Sequence, residues 1–171
     1  MGQRSFGKGS VQSLIPLDRN DVFDYASLRP LGVIGIITAW NSPMALLGNK
    51  LAASLAAGNC VVVKPSEHAS VTTLEFSRLV EQAGFPTGVF NVVTGDARTG
   101  AALASAEGLD KISFTGSAEV GRRICQLAGL KRVTMELGSN SPLIVMPDAD
   151  LSKVVEATVK TGFANAGQVC I

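Results

Sequence analysis

Val33-Ile34-Gly35-Ile36-Ile37-Thr38, then Pro43 through Gly58, then Val61-Val62-Val63-Lys64-Pro65, is the stretch that decides the architecture. Its first run is almost continuously apolar, as expected of a strand covered on both faces. Pro43 suits the opening position of a helix, where its missing N–H costs nothing. Leu46, Leu47, Leu51 and Leu55 then recur at helical spacing until Gly58 stops the helix. Val61 to Val63 is a second buried strand, ended by Lys64-Pro65. Strand, helix and apolar strand in this order make a parallel pair with a right-handed crossover.

The alternation continues toward the C-terminus. The pattern predicts a helix from Ser70 to Gln82 closing at Gly84, a strand at Val89 to Val93 and a short helix from Gly100 to Ala106. A strand at Ile112 to Phe114, a helix from Ser117 to Leu127 and a strand at Val133 to Glu136 follow. Beyond Gly138 come a strand at Leu143 to Val145 and a helix from Leu151 to about Phe163, with Asp150 as its N-cap. The fold class is α/β, a doubly wound parallel sheet. Residues 1–30 differ: two short apolar pieces, Val11 to Leu17 and Val22 to Tyr25, flank Asp18-Arg19-Asn20-Asp21, which reads as a β-hairpin arm. Such an arm has nothing of its own to cover its edges and is expected to pack on another segment or subunit.

Composition narrows the classes. An apolar fraction of 46% supplies a core, and abundant glycine with 5% aromatics suits close helix–sheet packing. A net charge of +1 gives no electrostatic footprint for nucleic acid or an anionic membrane. The longest apolar stretch, Leu51 to Val63, is interrupted by Ser54, Gly58 and Asn59, so no membrane span is expected. Met1 to Ser10 is polar and basic, with no secretory pattern. Cys60, Cys125 and Cys170 show no metal spacing and His68 is the single histidine, so no metal site is expected. The cysteine usage fits a reducing, cytoplasmic setting.

Ligands of a doubly wound sheet lie at the C-terminal ends of its strands. Those ends carry Thr38-Ala39-Trp40-Asn41, Lys64-Pro65-Ser66-Glu67 and Thr115-Gly116-Ser117. Gly116-Ser117 leads directly into a helix, whose positive end suits a diphosphate. Glu67 can accept from ribose hydroxyls and Lys64 can donate to the same sugar. Neither GxGxxG nor GxxxxGK[ST] occurs, so the usual dinucleotide and nucleotide fingerprints are missing. Taken singly, each residue also has an ordinary explanation: a solvated lysine, a helix cap, a turn asparagine. His68 reads as a solvated histidine, Asp148 and Asp150 as helix-capping acids, and Arg122 and Arg123 as facing solvent or a neighbouring subunit.

Together the motifs resemble the aldehyde dehydrogenase superfamily. The matching stretches are Pro30-Leu31-Gly32-Val33-Ile34-Gly35, Thr38-Ala39-Trp40-Asn41-Ser42-Pro43, Leu55-Ala56-Ala57-Gly58-Asn59 and Val63-Lys64-Pro65-Ser66-Glu67. They continue through Ala83-Gly84-Phe85-Pro86, Gly88-Val89, Phe114-Thr115-Gly116-Ser117 and Glu119-Val120-Gly121 to Glu136-Leu137-Gly138 and Gly167-Gln168-Val169-Cys170. All fall in family order from about Val11 to Ile171.

The resemblance implies a Rossmann-like domain without GxGxxG and a nicotinamide-dependent oxidation of an aldehyde to an acid. It implies Cys170 as nucleophile, Glu136 as general base and Asn41 as donor to the oxyanion. Lys64 and Glu67 would hold the adenosine ribose, and Gly116 and Ser117 the diphosphate. Trp40 and Gly121 would border the cofactor groove, with Thr38, Ser66, Gly100 and Leu137 as further cofactor residues. The cofactor expected is NAD, because Glu67 would face a 2′-phosphate, with NADP as the alternative. The implied domains are a partial oligomerisation arm at 1–30, an NAD-binding domain at 31–138 and the truncated start of a catalytic α/β domain at 139–171. The partners implied are an aldehyde and, for the whole family protein, further copies of itself.

Gly138 is followed by Ser139-Asn140 where the family usually has a second glycine. Because Cys170 stands one residue from the end, the chain alone is expected to turn over weakly or not at all. Two other readings stand beside this one: a non-catalytic nucleotide-binding fragment, and an acylating relative that passes its thioester to coenzyme A. Glu136 argues against the latter.

Overall fold

The computed structural model describes residues 11–15, 21–22 and 24–170. Most of the turn expected at Asp18-Arg19-Asn20-Asp21 lies outside the described residues, as do Met1 to Ser10 and Ile171.

β1 (Val11–Ile15) and β2 (Asp24–Ser27) pair antiparallel as a separate two-stranded sheet, with a register shift between Val11 and Ser13. The second piece expected at Val22 to Tyr25 thus sits two residues further on.

The main sheet has five parallel strands. They are β3 (Val33–Ile37), β4 (Cys60–Lys64), β5 (Phe90–Val92), β6 (Lys111–Thr115) and β7 (Arg132–Glu136), in spatial order β5-β4-β3-β6-β7. The chain winds outward from β3 through α1 (Pro43–Ala56), β4, α2 (Ser70–Gln82) and β5. It then returns over the other face through α3 (Ala97–Ser105) to place β6 beside β3, and α4 (Ala118–Ala128) leads to β7. The strand order reverses between β3 and β6, the switch point at which doubly wound sheets open a crevice.

Each face has its own core. Ile34, Ile36, Val61 and Val63 pack with Leu47 and Leu51 of α1. On the opposite face Ile37, Ile112 and Phe114 pack with Leu103 and Ala104 of α3 and with Ile124 and Ala128 of α4. Polar side chains, the buried Asn59 and the exposed Asp110, fasten the entry to β3. Asn59 Oδ1 accepts from the Leu31 and Gly32 N–H groups at 2.6 and 3.0 Å, and Asp110 Oδ2 accepts from Val33 N–H at 2.8 Å. Gly32, at φ +124°, is the residue this join requires, since a side chain there would run into the Asp110 carboxylate.

Helix starts follow capping chemistry. Asp96 accepts from Arg98 N–H at 2.9 Å, which starts α3 three residues before the expected Gly100. Ser117 Oγ caps α4 by accepting from Val120 N–H at 3.2 Å. Asp150 caps α5 (Leu151–Gly162) through Ser152 and Lys153 N–H, as expected.

One expected strand does not form. Leu143 to Val145 is irregular and exposed. A strand exists only by exchanging backbone hydrogen bonds with a neighbour, and this segment has no neighbouring strand among the described residues. A 3₁₀ turn, Ala164–Gly167, then carries the chain to Cys170.

Candidate active site

Two clefts open on opposite faces of the sheet, and the C-terminal end of β6 walls both. On the α3–α4 face lies a cleft of about 320 Å³ lined by Thr38, Trp40, Lys64, Ser66, Glu67, Gly100, Gly116 and Ser117, among others. Eight of the ten residues expected at a cofactor thus come together from three strand ends and two helices. Gly121 and Leu137 are the exceptions. They meet each other beside the cleft instead, a Cβ on Gly121 falling 2.7 Å from Leu137 Cδ2. Gly121 is therefore small because Leu137 packs on it, and neither belongs to the cleft wall.

The residues of this cleft fit a dinucleotide. Thr38 Oγ1 is buried without a hydrogen-bond partner among the described residues, a polar atom awaiting one. Gly116 has no room for a Cβ against the Phe114 ring, so bare backbone is presented where α4 begins. The first amides of α4 have no intrahelical acceptor and lie at the positive end of the helix. Lys64 is buried to 5% exposure and donates from Nζ to Glu67 Oε2 at 3.2 Å. Glu67, half exposed, is held below the ordinary carboxylate range by its own backbone N–H and then by Lys64. Its ionised oxygens remain available to sugar hydroxyls.

On the α1 face a cleft of about 440 Å³ is lined by Glu136 at the end of β7, Cys170, Thr115, Ser113 and Lys50. The carboxylate and the thiol, far apart in sequence, share one cavity. Thr115 Oγ1 there is buried and unpartnered among the described residues. Phe114 and Gly116 line the other cleft, so the end of β6 stands between the two cavities.

Asn41 follows β3, beside the segment that carries Cys170. Its Nδ2 donates to Gln168 O at 2.8 Å, and Asn165 Nδ2 donates to Asn41 O at 3.1 Å and to Gln168 O at 3.3 Å. These bonds tie the Cys170 segment to the β3–α1 loop. They hold a turn in which Asn165 (φ +48°), Ala166 (φ +56°) and Gly167 (φ +75°) are consecutively left-handed. For Ala166 that conformation costs about 1–2 kcal/mol.

The sequence reading passed over Lys50. Lys50 is the single charged residue of α1, on the same stripe as Leu46, Asn49 and Ala53, and all four line the Glu136–Cys170 cleft. Burial pushes its ammonium below the usual lysine range. The charges of Glu136 and Cys170 oppose that shift, and nearby Lys111 adds to it. An uncharged helix with one lysine on its inner face was the available signal. Arg123 is exposed, as expected, and its exposed side chain also borders the α3–α4 cleft.

Comparison with known proteins points the same way. The profile of the aldehyde dehydrogenase family matches residues 5–171. The chain is 49% identical to cytosolic aldehyde dehydrogenase 1 of Rattus norvegicus over 92% of its own length and 32% of that protein. It superposes with a TM-score of 0.89 on the crystal structure of PnpE in complex with nicotinamide adenine dinucleotide, at 40% identity, over 95% of this chain and 33% of that one. A second crystal structure, of AldC from Pseudomonas syringae with NAD+ and octanal, matches at 44% identity and TM-score 0.81, over 83% of this chain and 30% of that one. The chain spans about a third of the length of the curated relatives it matches. A family match over residues 5–171, with close superposition on solved members, makes this chain a member of the aldehyde dehydrogenase family.

Proposed function

We propose that this chain carries the cofactor site and the nucleophile of an NAD-dependent aldehyde dehydrogenase that oxidises an aldehyde to a carboxylic acid. Residues 31–138 form the cofactor domain, 139–171 begin the catalytic domain and 1–30 belong to an oligomerisation arm. The observation that carries the reading is the shared cleft of Cys170 and Glu136, which adjoins, across the end of β6, a cleft fitted to a dinucleotide. That PnpE binds NAD and AldC binds NAD+ with octanal supports the same cofactor and substrate class here. Glu67 favours NAD over NADP, because a 2′-phosphate would meet its carboxylate. No helix among the described residues is long and apolar enough to cross a membrane, and a cytosolic relative favours a cytoplasmic setting.

Ser117 and the α4 amides hold the diphosphate, and Lys64 with Glu67 holds the adenosine ribose. Bound NAD supplies the hydride acceptor. The Cys170 thiolate attacks the aldehyde carbon, forming a C–S bond and leaving negative charge on the former carbonyl oxygen. The Asn41 amide has two N–H groups; one reaches Gln168 O, and the other donates to that oxyanion beside the Cys170 N–H. When hydride leaves the carbon, the oxygen regains its double bond and Cys170 carries a thioester. Glu136 takes a proton from water, which attacks the thioester, and the C–S bond breaks to return the thiolate and release the acid. Lys50, which lines the same cleft, places a positive charge near both groups.

Cys170 is exposed, which favours a second reading in which the chain alone binds nucleotide without sustained turnover. Pre-steady-state NADH formation from propanal, with intact-mass detection of the acyl-enzyme, tests both. With Glu136→Gln the expected result is one NADH per chain and a persistent acyl adduct. With Cys170→Ala neither should appear, although NAD still binds. Full turnover by the Glu136→Gln protein would defeat the first reading, and a wild-type chain that binds NAD without any burst would establish the second.

A further inference from the structure

The α3–α4 cleft contains one charged group that ribose and diphosphate leave unused. Val120, Arg123, Ile124 and Leu127 occupy one stripe of α4, at positions i, i+3, i+4 and i+7, and all four wall the cleft. Lining the same cleft from α3 are Ala97, Gly100 and Ala101, whose side chains are small and leave a slot beside the α4 stripe. The slot walls are otherwise apolar, whereas the polar groups of the cleft, Lys64, Ser66, Glu67 and Ser117, lie at the strand ends and the start of α4. Among the described residues Arg123 makes no ion pair or side-chain hydrogen bond, so its guanidinium is not committed elsewhere.

An apolar slot beside a ribose and diphosphate site takes a planar base, and an uncommitted guanidinium at its open rim has a planar, weakly hydrated cation to lay on that base. We propose that Arg123 sets the affinity of this chain for the adenine end of its cofactor by stacking over the base. This rests on the cofactor reading above and adds to it a residue that contacts the base rather than the sugar or phosphates.

The proposal separates the two halves of the dinucleotide. Calorimetric titration of the wild-type chain, Arg123→Ala and Arg123→Lys with ADP-ribose and with nicotinamide mononucleotide tests it. ADP-ribose should bind Arg123→Ala about fivefold more weakly, as expected for a partly exposed cation–π contact, with nicotinamide mononucleotide unchanged. Arg123→Lys should remain weakened, since it keeps the charge and loses the plane. Equal ADP-ribose affinity in wild type and Arg123→Ala, full recovery by lysine, or an equal loss for nicotinamide mononucleotide would overturn the stacking role. A wild-type chain that binds neither ADP-ribose nor NAD would instead overturn the cofactor reading on which the proposal stands. Arg123 is exposed, and circular dichroism of each variant checks that the fold is intact.

Discussion

Asn41 is where the Cys170 segment and the β3–α1 loop are joined, and one of its two amide N–H groups makes that join. The bond to Gln168 O anchors the segment two residues before Cys170, while Asn165 reaches back to Asn41 O. Losing one preorganised oxyanion donor costs on the order of a hundredfold in rate. Asn41→Ala is therefore expected to slow the NADH burst by about that factor while leaving NAD affinity within about twofold. An unchanged burst, or a parallel loss of NAD binding, would show that Asn41 serves only the loop. At this scale the residues that line the two clefts were largely readable, because Thr38, Lys64, Glu67, Gly116 and Glu136 lie in short strings at strand ends. Lys50 and Arg123 were not, because each sits inside a helix, where its direction depends on which neighbours share its stripe. Gly121 and Leu137 stood in the right motifs, yet spacing does not reveal that they pack on one another outside the cleft.

Strands and helices carry the next constraint. β3 is central, and Gly35 within it faces the α3 side, where an added Cβ would lie 2.9 Å from Leu109 Cδ1 and 3.0 Å from Ile112 Cδ1. Both neighbours are buried core residues, so Gly35→Ala should destabilise by about 1–3 kcal/mol through overpacking, read as a lower urea midpoint. A neutral effect would mean that this layer can relax.

The β4 end makes a separate prediction. Glu67 titrates below its ordinary range, held by its own backbone N–H and then by Lys64, so these contacts to the ionised carboxylate stabilise the fold above the unfolded carboxylate value and are lost as pH falls through the depressed folded value. Because Glu67 is half exposed, wild type should exceed Glu67→Gln by no more than about 1 kcal/mol at pH 7. The gap should close in acid, and a gap independent of pH would dismiss the pairing.

Alternating apolar runs made nearly every strand and helix legible, since burial on both faces writes itself into sequence. Helix starts were less so: Asp96 caps α3 from outside the apolar pattern. Leu143 to Val145 misled for a related reason, because its residues suit a strand but sequence does not reveal whether a partner strand lies alongside.

Across the whole molecule, order falls from the sheet toward the C-terminal third. β3, β4 and β6 are bonded on both edges and covered on both faces, so their amides can exchange only through global opening. The stretch 139–149 forms no helix or strand; Ala149 N–H donates to Met146 O and Ser141 N–H to the Ser139 hydroxyl. α5 is capped and helical but buries no residue among those described, leaving Leu151, Val155, Val159 and Phe163 exposed. Its hydrogen bonds therefore lack the apolar packing from which helices in proteins draw most of their stability. Hydrogen–deuterium exchange followed by peptide mass spectrometry should show three tiers. Peptides of β3, β4 and β6 should exchange slowest, α5 should lose protection orders of magnitude sooner, and 139–149 should exchange near the rate of an unstructured chain. Protection of α5 equal to that of β3 would mean that its apolar face is covered in solution, and the three-tier description would fail.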